Sequence, residues 1–240
     1  LIIEEGLETE TLWRLLGSLR QVADAAGVTV VTGDTKVVDR GHGDGLYITT
    51  TGIGWVADGV SIHPDQIRPG DAILVSGDLG RHGLAVLAAR ENLGFEPPIA
   101  SDCASLVPLV ADLLDAEIQP HCLRDPTRGG VAAAISEIIT AAGLGVEIEE
   151  GALPVDAAVA TGCELLGLDP LFLPCEGRLL AVVAESDRQA ALATLRSHPL
   201  GQNAVCIGKV TEPGPLLLRN RFGVERPLVL PAGELLPRIC

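Results

Sequence analysis

In the segment VTGDTKVVDRGHGDG, residues 31–45, a carboxylate (Asp34) and an ammonium (Lys36) stand two residues apart behind a run of apolar residues. Alternation along an extended chain points two such side chains to one face, and ligands of α/β folds collect at strand ends. A carboxylate beside an ammonium suits Mg²⁺ and phosphate oxygens, and a plain surface ion pair beside a turn fits the same residues. Gly41, Gly43 and Gly45 follow. They either cradle phosphate through backbone N–H groups or form a flexible hairpin, and spacing alone leans to the hairpin.

A second polar stretch, CLRDPTRGGVAAAISEII at 122–139, opens an apolar helical run. Asp125 or Thr127 can cap that helix, Gly129 and Gly130 permit close approach at its positive end, and Arg128 adds a fixed charge. An anion site and an ordinary capped helix start both fit. Two acid-plus-glycine loops in one chain favour a nucleotide. The standard motifs are absent: GQNAVCIGKV has six residues between its glycines and Val after its Lys, and no GxGxxG follows a strand. In FLPCEGRLLAVVAE, Glu176 sits at a glycine-marked turn before an apolar strand, where a solvated turn acid is the ordinary reading. The five histidines form no HxxxH or HExxH pattern, and the six cysteines no CxxC pair. Neither a histidine metal site nor a disulfide framework is indicated, and most cysteines read as buried, reduced hydrophobes. His121 and Cys122, adjacent in sequence, read as structural.

The elements that must position these residues are α/β in character. Leu12, Leu15, Leu16, Leu19 and Val22 recur at helical spacing and Gly27 closes the run. Strands are expected at VTVVTGD, GLYITTTGIG, DAILVSG, VEIEE, LLAVVAE and AVCIGKV. Helices are expected around 82–93, 105–115, 129–142, 156–165 and 186–197, and LLLRNRFGVERPLVLP reads as a final hairpin. Pro69-Gly70 suggests a domain boundary near 68. With 240 residues, 47% of them hydrophobic, the chain can bury a sizeable core without staples. A net charge of −15 disfavours nucleic acid and anionic membrane as partners. No apolar run spans a bilayer and no signal peptide opens the chain, so it reads as cytoplasmic. It begins inside an expected strand and contains no methionine, from which we expect an N-terminal part to be missing.

The chain ends in Cys240, on a tail carrying Pro231 and Pro237. Prenylation requires three residues after the cysteine and does not fit. Ten extended residues span roughly 33 Å, long enough to carry a thiol from a domain surface into a site. The ordered set GDTKVV, SGDLGRHG, SDCASLVPLV, LRDPTRGGV, EGRLLAVV, HPLG and the terminal PRIC resembles the HypE family of hydrogenase maturation proteins. That family lies within the ATP-binding superfamily of aminoimidazole ribonucleotide synthetase and selenophosphate synthetase.

The resemblance implies a two-domain synthetase-type α/β (α+β) fold. Residues 1–67 would be the C-terminal part of an ATP-binding and dimerisation domain, 68–230 a second α/β domain, and 231–240 a carrier tail. It implies an ATP-dependent carbamoyl dehydratase: an S-carboxamide placed on Cys240 by a HypF-type carbamoyltransferase becomes a thiocyanate. The nitrile then passes to a HypC-HypD complex as the cyanide ligand of a [NiFe]-hydrogenase iron. By the same resemblance, Asp34 holds Mg²⁺ and triphosphate, Lys36 neutralises developing oxyanion charge, and Glu176 takes the nitrogen proton. Thr35, Asp125, Thr127, Arg128 and Gly129 line the nucleotide site, and the family works as a homodimer. Arg178 stands where relatives often carry Lys, a charge-conserving change expected to matter little. A superfamily kinase of a small molecule and a noncatalytic maturation scaffold are the alternatives; the terminal thiol argues against the kinase.

Overall fold

The structure is a computed structural model that describes residues 1–231. Cys240 and the rest of the expected carrier tail beyond Pro231 lie outside the described residues. The chain divides into two compact units, Leu1–Asp58 and the residues from Gly59 onward. His63–Arg68 thus belongs with the second compact unit. The reason is packing: Ile67 is buried in the core of the second unit, and the His63 amide donates to the His121 carbonyl at 2.9 Å.

In the first unit, β1 (Ile2–Glu4) leads to α1 (Thr9–Ala25), then β2 (Lys36–Val38) and β3 (Leu46–Tyr47). The strands form a sheet in the order β2-β1-β3, with β2 parallel and β3 antiparallel to β1. The leucine-spaced helix forms as expected. Two strand expectations do not hold. VTVVTGD is irregular and the ladder starts only at Lys36, while GLYITTTGIG yields two strand residues. β-branched composition makes a strand available, but a ladder partner is what forms one. No residue of this unit is buried, and Val30, Val31, Ile53 and Trp55 stand exposed.

The glycine loop after β2 has a use of its own. The Gly41 and Gly45 amides both donate to the Glu4 carboxylate, Gly45 at 2.9 Å. Those bonds, Gly45's first, hold the Glu4 carboxyl below its usual range. The loop thus cradles an anion, but that anion is a side chain of this chain.

The second unit is built on a seven-stranded sheet. Its elements are β4 (Ala72–Val75), α2 (Arg81–Glu91), α3 (Val107–Asp115), β5 (Cys122–Arg124), α4 (Gly130–Ala142), β6 (Gly145–Glu149) and α5 (Ala157–Leu166). There follow β7 (Leu180–Val183), α6 (Arg188–Ser197), β8 (Val205–Thr211), β9 (Leu216–Arg219) and β10 (Glu225–Pro227). The strand order is β10-β9-β6-β8-β4-β7-β5, every pair antiparallel except β6 with β9. The apolar runs AILV and LAVV have no polar face because both faces are covered. Ile73, Val75, Leu180 and Val182 pack with α4, while Ala72, Leu74, Ala181 and Val183 pack with α3 and α6. A third cluster joins Leu84 of α2 to Val159 and Cys163 of α5. GQNAVCIGKV lies largely in β8, where Lys209 pairs with Glu147 of β6 at 3.1 Å. Among the described residues, no helix is long and apolar enough to cross a membrane.

Candidate active site

Three loops of the second unit converge on the turn that holds Glu176, just before β7. The first precedes α4: the Cys175 amide donates to the Pro126 carbonyl at 3.0 Å, which brings Asp125 alongside. The second precedes α3: the Asp102 carboxylate accepts the Glu176 amide at 3.0 Å. The third is the turn from β4 into α2, which carries Asp78 and leads to His82 in the first turn of that helix.

Arg178 ties two of these loops to β7. Its guanidinium donates to the Asp78 carbonyl at 2.9 Å, to the Asp78 carboxylate, and to the Gly177 carbonyl at 2.9 Å. Its Nε lies 3.8 Å from Asp102 Oδ2, an oxygen that is buried without a hydrogen bond. Arg81 completes the array, pairing with Asp78 at 2.7 Å and with Asp156, the residue capping α5, at 3.3 Å. A cavity of about 370 Å³ opens here, lined by Asp78, Arg81, Ser101, Asp102 and Arg178 among others. The three bonds from Arg178 use the planar fork, which an ammonium does not reproduce. Arg178 is therefore a structural clamp in this chain, not a neutral replacement for Lys.

Gly177 is needed at this turn because a Cβ there would stand 1.7 Å from the Asp102 carbonyl oxygen. Gly177→Ala should therefore push the two loops apart. The expected cost is about 1–3 kcal/mol, read as a lower urea midpoint, with activity falling further than stability because Glu176 moves with the turn.

Glu176 is half-buried. Burial pushes its carboxyl above the usual range, the nearby negative charges of Asp102 and Asp125 add to that, and His82 opposes it. A carboxylate of raised basicity, amide-anchored and not fully solvated, is suited to removing a proton. His82 Nδ1 lies 2.9 Å from Ser101 Oγ, which also accepts the Cys103 amide at 3.1 Å.

The loop before α4 departs from expectation. Neither Asp125 nor Thr127 caps the helix; Gly129 occupies the N-cap position at φ 72° and makes no side-chain cap bond. The Asp125 carboxylate instead accepts the Thr127 hydroxyl at 3.0 Å and Arg124 at 2.8 Å. A Cβ on Gly130 would meet the Leu171 and Leu173 carbonyls at 2.6 Å, so that glycine admits this chain's own backbone. Arg128 is exposed.

In the first unit Asp34, Thr35 and Lys36 are exposed, and Asp34 Oδ1 accepts the Thr35 amide at 2.8 Å. They stand at the start of β2, not at the end of a preceding strand, because pairing with β1 begins at Lys36. Cys122, Cys163 and Cys175 are buried reduced thiols, and burial pushes Cys163 up to about 11 and Cys175 up to about 12. His121 is structural, its Nδ1 2.6 Å from Asp71.

Residues 68–216 match the family model described as the C-terminal domain of AIR synthase related proteins. The whole chain aligns at 48% identity with 69% of the carbamoyl dehydratase HypE of Cupriavidus necator. The chain belongs to the HypE family of carbamoyl dehydratases. A crystal structure of Escherichia coli HypE superposes with a TM-score of 0.95 at 47% identity, covering all of this chain and 74% of that one. A HypE solved in complex with ATP gives 0.93 at 42% identity, covering all of this chain and 73% of that one. A HypE-HypF complex gives 0.87 at 38% identity, over 96% of this chain and 75% of that one. The two-domain α+β synthetase fold is thus that of the HypE family, and the chain is an enzyme of its lyase type. Sequence reasoning missed Asp78, His82, Ser101, Asp102 and the clamping role of Arg178. The motifs SGDLGRHG and SDCASLVPLV contain four of them, and assigning roles within those motifs was the available signal.

Proposed function

We propose that this chain carries out ATP-dependent dehydration of an S-carboxamide on its own Cys240, with Glu176 as the base, and so supplies a cyanide ligand during hydrogenase maturation. The observation that carries the assignment of the base is Glu176 itself: half-buried, raised in basicity, and tied by its amide to buried Asp102. The carboxamide oxygen is a poor leaving group, so the reaction needs that oxygen phosphorylated by ATP. Phosphorylation with loss of one N–H proton to solvent gives the imidate Cys–S–C(=NH)–OPO₃. Glu176 removes the second N–H proton, that N–H electron pair becomes the second C–N π bond, and the C–O bond breaks as phosphate departs, leaving Cys–S–C≡N. Lys36 neutralises charge on the transferring oxygens. Thr35, Asp125, Thr127, Arg128 and Gly129 contact the nucleotide.

Asp34 holds Mg²⁺ in this reading. Among the described residues no three His, Cys, Asp or Glu side chains cluster as a metal site. A single exposed carboxylate suits Mg²⁺, which is commonly held by one or two carboxylates plus substrate phosphates. When bound, the ion supplies charge neutralisation at the phosphate oxygens.

A HypF-type carbamoyltransferase is the donor partner, in keeping with the solved HypE-HypF complex. A HypC-HypD acceptor and a homodimer complete the assembly. The experiment is intact mass after incubation with the HypF-type donor, carbamoyl phosphate and ATP. A carboxamide should appear on Cys240 and then lose one water, and Cys240→Ser should abolish both changes. A thiocyanate formed without Cys240 would refute the carrier role.

A further inference from the structure

Asp102 carries a charge where a neutral side chain would serve the fold. Its side chain is wholly buried in the segment before α3. Among the described residues its carboxylate makes one hydrogen bond, accepting the Glu176 amide at Oδ1 over 3.0 Å. The side-chain oxygen of an asparagine accepts the same bond. The other oxygen, Oδ2, is buried without a hydrogen-bond partner. The cation beside it, Arg178 Nε, stands 3.8 Å away and donates instead to the Asp78 carbonyl at 2.9 Å. A carboxylate taken out of water with one hydrogen bond and an incomplete ion pair costs stability. The turn could be held without that cost, so the charge itself needs a use.

The base stands next to it. With the Glu176 nitrogen 3.0 Å from Asp102 Oδ1, covalent geometry keeps the Glu176 carboxyl within about 9 Å of that oxygen whatever its rotamer. That is inside the roughly 10 Å over which salt screens exposed charges, and a buried charge is screened less. The groups facing the Glu176 carboxyl are His82 from α2, Asp102, and Asp125 from the loop before α4, with Arg178 of its own turn paired to Asp78. Burial raises the proton affinity of Glu176, His82 opposes it, and the two aspartates add to it. Of those two, Asp125 is exposed and Asp102 is not.

We propose that the negative charge of Asp102 is kept for the dehydration step: one hydrogen bond from the Glu176 backbone and out of solvent, it makes Glu176 a stronger base toward the second N–H proton than a neutral side chain in its place would. The inference rests on Glu176 being the base. In that step the N–H bond breaks, the Glu176 O–H bond forms, and the freed pair becomes the second C–N π bond as phosphate leaves. Asp102 exchanges no proton and touches no reacting atom, so it is a positioning residue. Its hydrogen bond fixes the turn, and its charge sets how strongly the carboxylate on that turn holds a proton.

The test is single-turnover conversion of carboxamide to thiocyanate in the full chain, followed by intact mass across pH after carbamoylation by the HypF-type donor, for the parent, Asp102→Asn and Asp102→Ala. One turnover contains the proton transfer, so the rate reads it directly. Asp102→Asn should unfold cooperatively in urea, accept the carboxamide normally and convert it about three- to tenfold more slowly on the plateau, as a weaker base does. Its acid limb should move to lower pH, because the like charge beside Glu176 is gone. Asp102→Ala loses the amide bond as well and should be slower still, with its limb also below the parent's. A plateau rate and limb like the parent's in Asp102→Asn would overturn the proposal. So would a slower rate with an unmoved limb, the pattern of a displaced turn, and so would loss of cooperative unfolding, since the charge would then be needed by the fold. Full dehydration by Glu176→Gln would instead remove the base assignment, which separates the two failures.

Discussion

Glu176→Gln should leave carbamoylation of Cys240 intact and slow its conversion to thiocyanate by about 10²–10⁴-fold, the range general bases contribute. Glutamine keeps the volume and the backbone amide that Asp102 accepts, so what is lost is the ability to take a proton. Stability gives a control. Burial, with Asp102 and Asp125, raises the Glu176 carboxyl above its unfolded value, so the folded protein holds the proton more tightly than the unfolded chain. Its contribution to stability is present below the unfolded value and is lost as pH rises through the folded one. At neutral pH the ionised side chain is a net cost, and Glu176→Gln should unfold at the same or a higher temperature than the parent. A variant that is dead, carbamoylated and no less stable identifies a chemical role. In the parent, the dehydration rate should fall on the acid side beginning above the ordinary glutamate range, since the ionised form is the base. Single-turnover conversion measured by intact mass across pH checks this, and an acid limb at an ordinary glutamate value would contradict the raised basicity.

Arg178→Ala should be the most destabilising single change in the second unit's site, at about 3–5 kcal/mol, as expected when one partner of a buried ion cluster is removed. The side chains of Arg178, Asp78 and Asp102 are 11%, 13% and 0% exposed. Without the guanidinium, Asp102 loses its nearest counter-charge and Asp78 keeps only Arg81. Arg178→Lys restores the charge but not the three-bond fork, and it should recover only part of the loss. Urea unfolding of the three proteins measures both. A lysine variant as stable as the parent would mean that charge, not geometry, holds these loops.

Local pattern was legible where the physics is local. The apolar runs AILV and LAVV announced buried strands because both of their faces are covered. The helices over Arg81–Glu91, Val107–Asp115, Gly130–Ala142, Ala157–Leu166 and Arg188–Ser197 followed from helical periodicity. VTVV and ITTTGIG carried the same β-branched signal without becoming strands, because a ladder needs a partner and composition says nothing of its presence. Cys122–Arg124 went unread because three residues carry no period.

Chemistry divides along the same line. Glu176 could be picked out from its turn and from the resemblance, and Asp34 and Lys36 from their spacing. What sets the surroundings of Glu176 was not legible: its amide meets Asp102 across 74 residues of sequence, and Arg178 meets Asp78 across 100. Such meetings depend on which strands lie beside β7 and on a glycine leaving room for a carbonyl. Residue types and local periods select the elements and nominate reactive groups, whereas burial, counter-charge and proton affinity arise only once distant loops share one turn.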